Sequence, residues 1–380
     1  MKGLLPVLIH VLSISLIISQ DYPKKKFYKR EKHAAKIMGR DDRKYGDHSG
    51  NRVLCRFYNH GSIGDQSSSF SGVYPIGSGH SYIWEFSPVV AASVVDTNGF
   101  RRHIVSDGIS GLVDASPEGT PWSFEPLSGY SNPNQENLAM SDNENSWPNS
   151  WPNRTEDWNG EWNGQYGKYV RADQESYFVV DDRYNSEFEF WPDQNDIPED
   201  PTVSPDEHRR GLGIEMEARG YQWNHPAAED IIIVTYWITN VGSSVLDSVV
   251  FGMYGDADIG GASSFSDDDA WFDTENDMVY QWDHDNWSSS YGGFRPAYFG
   301  WSFLESPGNP HDGIDNDGDG MIDESQFDGV DNDGDWDPER DDIGADGLAN
   351  FHINYTGPDE DGTEGLSLIH ISEPTRLESI

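Results

Sequence analysis

GIEMEARGYQW, residues 213–223, and IIIVTYWITN, residues 231–240, decide the fold class. In the first, Ile214, Met216 and Ala218 alternate with Glu215, Glu217 and Arg219, a period of two with one apolar and one wet face. The second is a β-favouring run closed by Asn240-Val241-Gly242. VLDSVVFGMYGD (245–256) follows and reads as a partner strand. Upstream, ESYFVVDD (175–182) is a further strand, and in NSEFEFWPD (185–193) Phe188 and Phe190 alternate with Glu187 and Glu189. Adjacent antiparallel strands with one polar face suit a sandwich, so the expected fold is all-β: antiparallel β-sandwich(es) with long irregular loops.

Nearer the N-terminus, VLCRFY (53–58), SGVYPIGSG (71–79), SYIWEF (81–86), VVAASVV (89–95) and RRHIV (101–105) are short apolar stretches divided by Gly and Ser turns. Asn98-Gly99 marks a hairpin between the last two. The stretch SWPNSWPNRTEDWNGEWNGQYGK (146–168) has neither strand nor helix period. Proline and glycine set its turns and each indole can cover apolar surface, which reads as an arm laid over the core; a ligand surface is the rival reading. Helical pattern is confined to Arg30–Ile37.

The chain carries 67 acidic against 25 basic residues in 380, a formal net charge of -42. Nucleic acid and anionic lipid would be repelled, so neither is an expected partner. With 14 Trp and 18 Tyr the chain is far too aromatic for a plain acidic disordered polymer. A single cysteine, Cys55, rules out an intrachain disulfide, and its setting in RVLCRF reads as a small apolar strand residue. The histidines stand apart, without HExxH or cysteine pairs, so zinc is not expected.

Between residues 312 and 342 aspartates recur at alternate positions in two copies, DGIDNDGDGMIDE and DGVDNDGDWDPE. Asp312 maps to Asp328, Asp315 to Asp331, Asp317 to Asp333 and Asp319 to Asp335. Such a run repels itself unless hard cations with oxygen ligands fill it, and calcium is the expected filling. Asp315, Asp317 and Asp319 take positions 1, 3 and 5 of an EF-type loop, with Gly320 at 6, the Met321 carbonyl at 7 and Asp323 at 9. Position 12 is Gln326 rather than Glu, leaving Glu324 or a neighbouring copy to complete the shell. In the second copy Asp331, Asp333, Asp335 and Asp337 recur, but Trp336 replaces the glycine. A second acidic cluster, GDADIGG (255–261) followed by SDDDAWFDTENDMVYQWDHD (266–285), offers Asp256, Asp258, Asp267, Asp268, Asp269 and Asp273 to a structural ion.

No GxSxG, Walker loop or dinucleotide fingerprint occurs, so no catalytic residue is assigned. A glycoside hydrolase would need facing carboxylates beside aromatic platforms; Trp147, Trp151, Trp158 and Trp162 with Glu156, Asp157 or Glu161 supply the residue types, as they do for polysaccharide binding without catalysis.

The apolar run Leu4–Ile18 behind Lys2 reads as an export leader, being shorter than the roughly 20 apolar residues of a spanning helix, although the basic stretch KKKFYKREKHAAK after it keeps a retained anchor open. The expected organisation is a leader (1–20), basic linker (21–50), N-terminal β region (51–116), arm (117–170), β-sandwich region (171–310), calcium-binding repeat segment (311–346) and acidic linker (347–365). Residues 366–380 change character abruptly and resemble translated adapter read-through.

The aspartate-rich copies resemble the calcium loops of thrombospondin type 3 repeats and related bacterial surface repeats. That resemblance implies a rigid shared ion array, with Asp312 and Asp328 bridging neighbouring ions. More widely, YPIGSGHSYIWEFSPVV (74–90), DQESYFVVDDRYNSEF (173–188), RGLGIEMEARGYQWNHPAAEDIIIVTYWITN (210–240), FGMYGDADIGG (251–261), FLESPGNPHDGIDNDGDGMIDE (303–324) and DDIGADG (341–347) resemble a group of large exported proteins of environmental Gram-negative bacteria. The resemblance implies secretion or surface placement and nothing more specific; taken with the acidic repeats, the expected role is structural or adhesive, toward matrix protein or surface polysaccharide, with no membrane association once the leader is gone. The resemblance implies no activity.

Overall fold

The computed structural model describes residues 8–18, 42–64, 70–110, 115–116, 121–200, 202–261, 265–273 and 278–305. Those residues form an all-β architecture whose ladders are antiparallel except where the first strand enters. In chain order the strands are β1 (Leu8–Ile18), β2 (Tyr45–His48), β3 (Cys55–Tyr58), β4 (Ile83–Val95), β5 (Arg101–Asp107), β6 (Glu125–Pro126) and β7 (Ala139–Met140). After these come β8 (Gln174–Asp181), β9 (Ile214–Gln222), β10 (Ile233–Asn240), β11 (Asp247–Ala257), β12 (Asp268–Asp273), β13 (Met278–Asp283) and β14 (Tyr298–Glu305).

The largest sheet runs β12-β13-β14-β1-β10-β9-β8-β6, with β7 also on β8; a second runs β11-β4-β5, and β2 pairs with β3. The opening stretches pair as neighbours: Ile214 to Tyr221 of β9 face Asn240 to Ile233 of β10. One core takes Val53, Cys55 and Phe57 from the N-terminal segment, Phe86 and Val90 from β4, Met216 and Ala218 from β9, Tyr236 and Ile238 from β10, and Phe299 from β14. Cys55 is fully buried there, as its small apolar character required.

Four local expectations need correcting. VLDSVVFGMYGD does not pair with β10; it forms β11, crosses to β4, and meets β10 only through side chains, with the Tyr236 and Phe251 rings 5.4 Å apart. SYIWEF and VVAASVV are one continuous strand, β4, running through Pro88. The break was misplaced because proline's missing N–H matters only inside a ladder: β5 begins pairing at Val89, so Pro88 has a strand neighbour on the β11 side alone. NSEFEFWPD forms no strand, since Asn185 turns the chain by donating its N–H to the Asp182 carbonyl and Phe190 N–H bonds back to Phe188. SGVYPIGSG likewise forms no strand and holds only a bridge between Val73 and Leu54. The hairpin at Asn98-Gly99 is as expected: Gly99 takes φ +81°, and the Asp96 carboxylate accepts from the Asn98 and Phe100 amides at 2.9 Å each. The helical pattern of Arg30–Ile37 lies outside the described residues.

The alternation in β9 holds only for its first half. Glu215 and Glu217 are half-buried, but Arg219 is 2 % exposed, because something covers the second face of β8 and β9. The cover is the Trp-rich stretch. Trp151 and Trp162 pack with Tyr130, Ala139, Tyr177 and Val179 into a second core on that face. Three of the four indole N–H groups in this stretch are seen to donate: Trp147 to the Met140 carbonyl at 2.7 Å, Trp151 to the Glu161 carbonyl at 2.9 Å, and Trp162 to the Glu175 carboxylate at 2.6 Å. Arg219 is satisfied by the Asn163 carbonyl and lies 3.9 Å over the Tyr177 ring. Burying an indole removes 150–250 Å² from water, roughly 4–6 kcal/mol each as an upper bound at about 25 cal/mol per Å².

His48 is fully buried where β2 crosses β8 and β9. Its Nε2 lies 2.8 Å from Ser176 Oγ and its ring 4.4 Å from Phe57. Gly220 makes the room, since a Cβ there would stand 2.7 Å from His48 Nε2 and 2.9 Å from Phe57. Burial lowers the His48 pKa to about 3, so the folded state holds this imidazole neutral. The unfolded chain therefore binds the extra proton between pH 6.5 and 3, and the stability His48 contributes is lost as pH falls through that window. In urea unfolding at stepped pH, His48→Gln is expected to remove about 1.4 kcal/mol per pH unit from the acid-side slope of the parent. Parallel slopes for parent and variant would show that His48 does not titrate in this way.

Candidate metal centre

β11 delivers the chain to Asp258, a turn at Ile259-Gly260-Gly261 follows, and the chain re-enters the sheet as the β12–β13 hairpin. The hairpin register sets Asp268 directly opposite Asp283. Like charges in that relation are unfavourable unless something positive lies between or beside them. Asp283 is buried, with Oδ1 accepting from the Trp287 amide at 2.8 Å. Asp268 accepts from the Ile259 amide at 2.8 Å through Oδ2, while its Oδ1 is buried without a hydrogen-bond partner. Asp267 and Asp285 stand exposed at the mouth, and the Asp267 carbonyl accepts from the His284 amide.

Carboxylate oxygens of Asp267, Asp283 and Asp285 all lie within 4.8 Å of one another. Oxygens on opposite sides of a calcium ion stand at most about 5 Å apart, so these three carboxylates are spaced closely enough to share a metal ion. The electrostatics point the same way. Desolvation, followed by the charges of Asp283, Asp258 and Asp267, pushes the Asp268 carboxyl up to about 7. Asp258 is raised by burial and by Asp256, and Asp256 by burial and by Glu85. The basic side chain beside them is His284, whose Nδ1 lies 2.6 Å from Asp269 Oδ2, and which that hydrogen bond, with the surrounding aspartates, makes a stronger base. No Lys or Arg occurs in the sequence from Gly220 to Phe294. The donors are hard oxygens and fit a hard divalent cation rather than zinc.

The sequence singled out Asp256, Asp258, Asp267, Asp268, Asp269 and Asp273 here; Asp267 belongs to the group that closes. Asp283 and Asp285 were missed. Their signal was the strand register, which sets WDHD beside SDDD and which neither stretch shows alone. The expected calcium ligands of the repeats, Asp312, Asp315, Asp317, Asp319, Met321, Asp323, Glu324, Asp328, Asp331, Asp333, Asp335 and Asp337, lie outside the described residues.

The residues weighed for sugar binding are placed otherwise. Trp151 and Trp162 are 3 % and 2 % exposed and offer no face to a sugar. Trp158 is half-buried, with Arg154 and Lys168 over its ring at 4.3 and 5.5 Å. Asp157 is paired with Lys168 on the outside of the arm, and Glu156 and Glu161 are exposed beside it. Among the described residues no helix is long and apolar enough to cross a membrane. No family model, no curated protein and no solved structure matches the chain.

Proposed function

We propose that the chain is an exported structural or adhesive protein, a β-sandwich of facing sheets whose acidic loops are held in shape by calcium. The observation that carries the reading is the meeting of Asp267, Asp283 and Asp285 beside the half-orphaned Asp268, in a stretch without Lys or Arg. An ion there offsets the repulsion across the β12–β13 hairpin and fixes it against the β11 turn. The aspartate-rich copies at 312–337 extend the same device into a stiff spacer, suited to a surface or matrix protein bathed in millimolar calcium. Matrix protein or surface polysaccharide is the partner class. The polysaccharide-module and carbohydrate-enzyme alternatives lose support from the inward packing of Trp151 and Trp162.

The test is thermal melting with calcium, with magnesium and with chelator. Calcium at a hundred times its dissociation constant contributes about 2.7 kcal/mol per site, enough to raise Tm by several degrees. Magnesium at equal concentration is expected to do markedly less. Identical melts in calcium and chelator would refute the reading.

A further inference from the structure

At the β12–β13–β14 end of the large sheet, four aromatic side chains share one face. Trp271 on β12 stands opposite Tyr280 on β13, and Trp282 follows two residues along the same strand. The Tyr280 and Trp282 rings lie 5.6 Å apart, and the Tyr298 ring of β14 lies 6.2 and 5.8 Å from them. Phe299, next to Tyr298, is buried in the core, which fixes the aromatic face as the outer one. Trp271 is 62 % exposed, and Tyr280, Trp282 and Tyr298 are half-exposed. The face ends in a polar pair: Asp269 lies opposite Trp282, and its Oδ2 meets His284 Nδ1 at 2.6 Å. Cross-strand aromatic contacts stabilise a sheet and account for the mutual packing of Tyr280, Trp282 and Tyr298. They do not account for Trp271, whose indole is mostly in water and adds little to the core. An exposed apolar cluster rimmed by polar groups marks a contact surface.

We propose that this face binds an uncharged polysaccharide, its sugar rings lying against the aromatic side chains while Asp269 and His284 hydrogen-bond hydroxyls at one end. The inference rests on the adhesive reading and names the partner of that adhesion. Charge is the first feature that selects this ligand. No Lys or Arg occurs from Gly220 to Phe294, and Asp267 and Asp285 stand exposed beside the face, so uronate-rich or sulfated polymers are repelled. A cationic peptide finds little free charge to meet, because Asp269 is paired with His284 and, on the calcium reading, Asp267 and Asp285 hold the ion. The second feature is chemical. A neutral pyranose has an apolar C–H face and a hydroxyl rim; indole and phenol rings match the first, and a carboxylate acceptor beside an imidazole matches the second. The third is extent: from β12 to β14 the face spans roughly 10 Å, longer than a single sugar ring, so a chain fills it. The arm turns Trp151 and Trp162 inward, whereas this hairpin turns its aromatic side chains out.

The experiment is affinity electrophoresis of the purified protein in calcium, through gels holding hydroxyethyl cellulose, laminarin or a galactomannan, with dextran sulfate and poly-lysine run beside them. Retardation by at least one of the three uncharged polymers is expected, and none by dextran sulfate. Trp271→Ala with Trp282→Ala should weaken the interaction about 10-fold or more. Trp271→Ala alone should weaken it with an unchanged melt, because that indole is exposed, and Trp158→Ala on the arm should leave it as in the parent. Poly-lysine retention, which a net charge of -42 ensures, should be equal in parent and variants. Failure of all three uncharged polymers to retard the protein, or equal retardation of parent and double variant, overturns the assignment. A double variant impaired toward poly-lysine instead hands the face to a cationic partner and overturns it too. Calcium melts on the same samples separate the two readings: glycan binding absent with calcium stabilisation intact strikes this site alone, and the reverse strikes the calcium reading alone.

Discussion

Asp182→Ala is expected to unfold this protein under conditions where the parent is fully native. Asp182 is completely buried at the end of β8 and serves as the acceptor for four donors: Ser106 Oγ at 2.9 Å and the backbone amides of Leu212, Gly213 and Ile214 at 2.6, 3.2 and 3.0 Å. One carboxylate thus ties β5, β8 and the entry to β9 together. The backbone is shaped around it, since Gly211 takes φ +69° and a Cβ there would stand 2.3 Å from the Asp182 carbonyl oxygen. Alanine strands three buried N–H groups at about 1–3 kcal/mol each, a total on the order of 3–9 kcal/mol against a usual stability of 5–15 kcal/mol.

Asp182→Asn keeps one acceptor oxygen but points an NH₂ at donors, so an intermediate loss is expected. Burial and the neighbouring Asp181 push the Asp182 carboxyl up to about 7, with the Ile214 and Leu212 amides pulling the other way. A raised carboxyl contributes most below its unfolded value near 4, and that contribution is lost as pH rises through 7. Asn, which does not titrate, should flatten this slope. Urea midpoints of parent and both variants across pH 5–8 check the order; an Asp182→Ala midpoint within experimental error of the parent would refute the role.

Glu175→Ala has the second largest expected effect, and its signature is local. Glu175 is buried on β8 beneath the Trp-rich arm. Its Oε2 accepts the Trp162 indole at 2.6 Å, and its Oε1 accepts the Arg171 and Ala172 amides at 2.6 and 3.1 Å. Its backbone is bound on both sides by Ser141, through Oγ and through the amide. Truncation leaves two amides and an indole N–H without acceptors, at about 1–3 kcal/mol for each of the buried Ala172 and Trp162 groups and less for the half-buried Arg171 amide, and removes the side-chain bond from Trp162 to the sheet. The arm is expected to lift: tryptophan emission moves to the red and protease cuts appear within 146–168 before the β8–β9–β10 ladders lose protection. Glu175→Gln, which retains an acceptor oxygen, should recover most of the parent behaviour. A uniform fall in stability with unchanged emission would mean the arm is held by packing alone.

These two residues show why part of the fold was readable and part was not. β8, β9 and β10 announce themselves through β-branched and aromatic runs and, in β9, through period-two alternation. Alternation reports polarity, however, and polarity is an incomplete guide to burial. Glu175, Arg219 and Gln222 are all at most 3 % exposed. Each finds partners from elements that its own strand does not reveal: Trp162 of the arm for Glu175, the Asn163 carbonyl for Arg219, and Asn51 and the Val53 carbonyl for Gln222. Strand partners were less legible still. β11 follows β10 after a short turn and looks like its hairpin mate, yet it belongs to the β11-β4-β5 sheet, from which its half-buried Phe251 and Met253 pack against the core. The candidate metal centre was half visible for the same reason: SDDD was apparent as a cluster, but Asp283 and Asp285 join it only through the hairpin register.

Calcium calorimetry on the purified protein tests most directly the proposal that bound calcium stabilises its clustered carboxylates. Asp267→Asn with Asp285→Asn alters two exposed ligands and leaves the buried Asp283 in place, so the variant should fold. The parent is expected to bind calcium with measurable heat, and the variant to bind one ion fewer under the same conditions. Superimposable isotherms for the two proteins, or a parent that takes up no calcium at millimolar concentration, would contradict the claim.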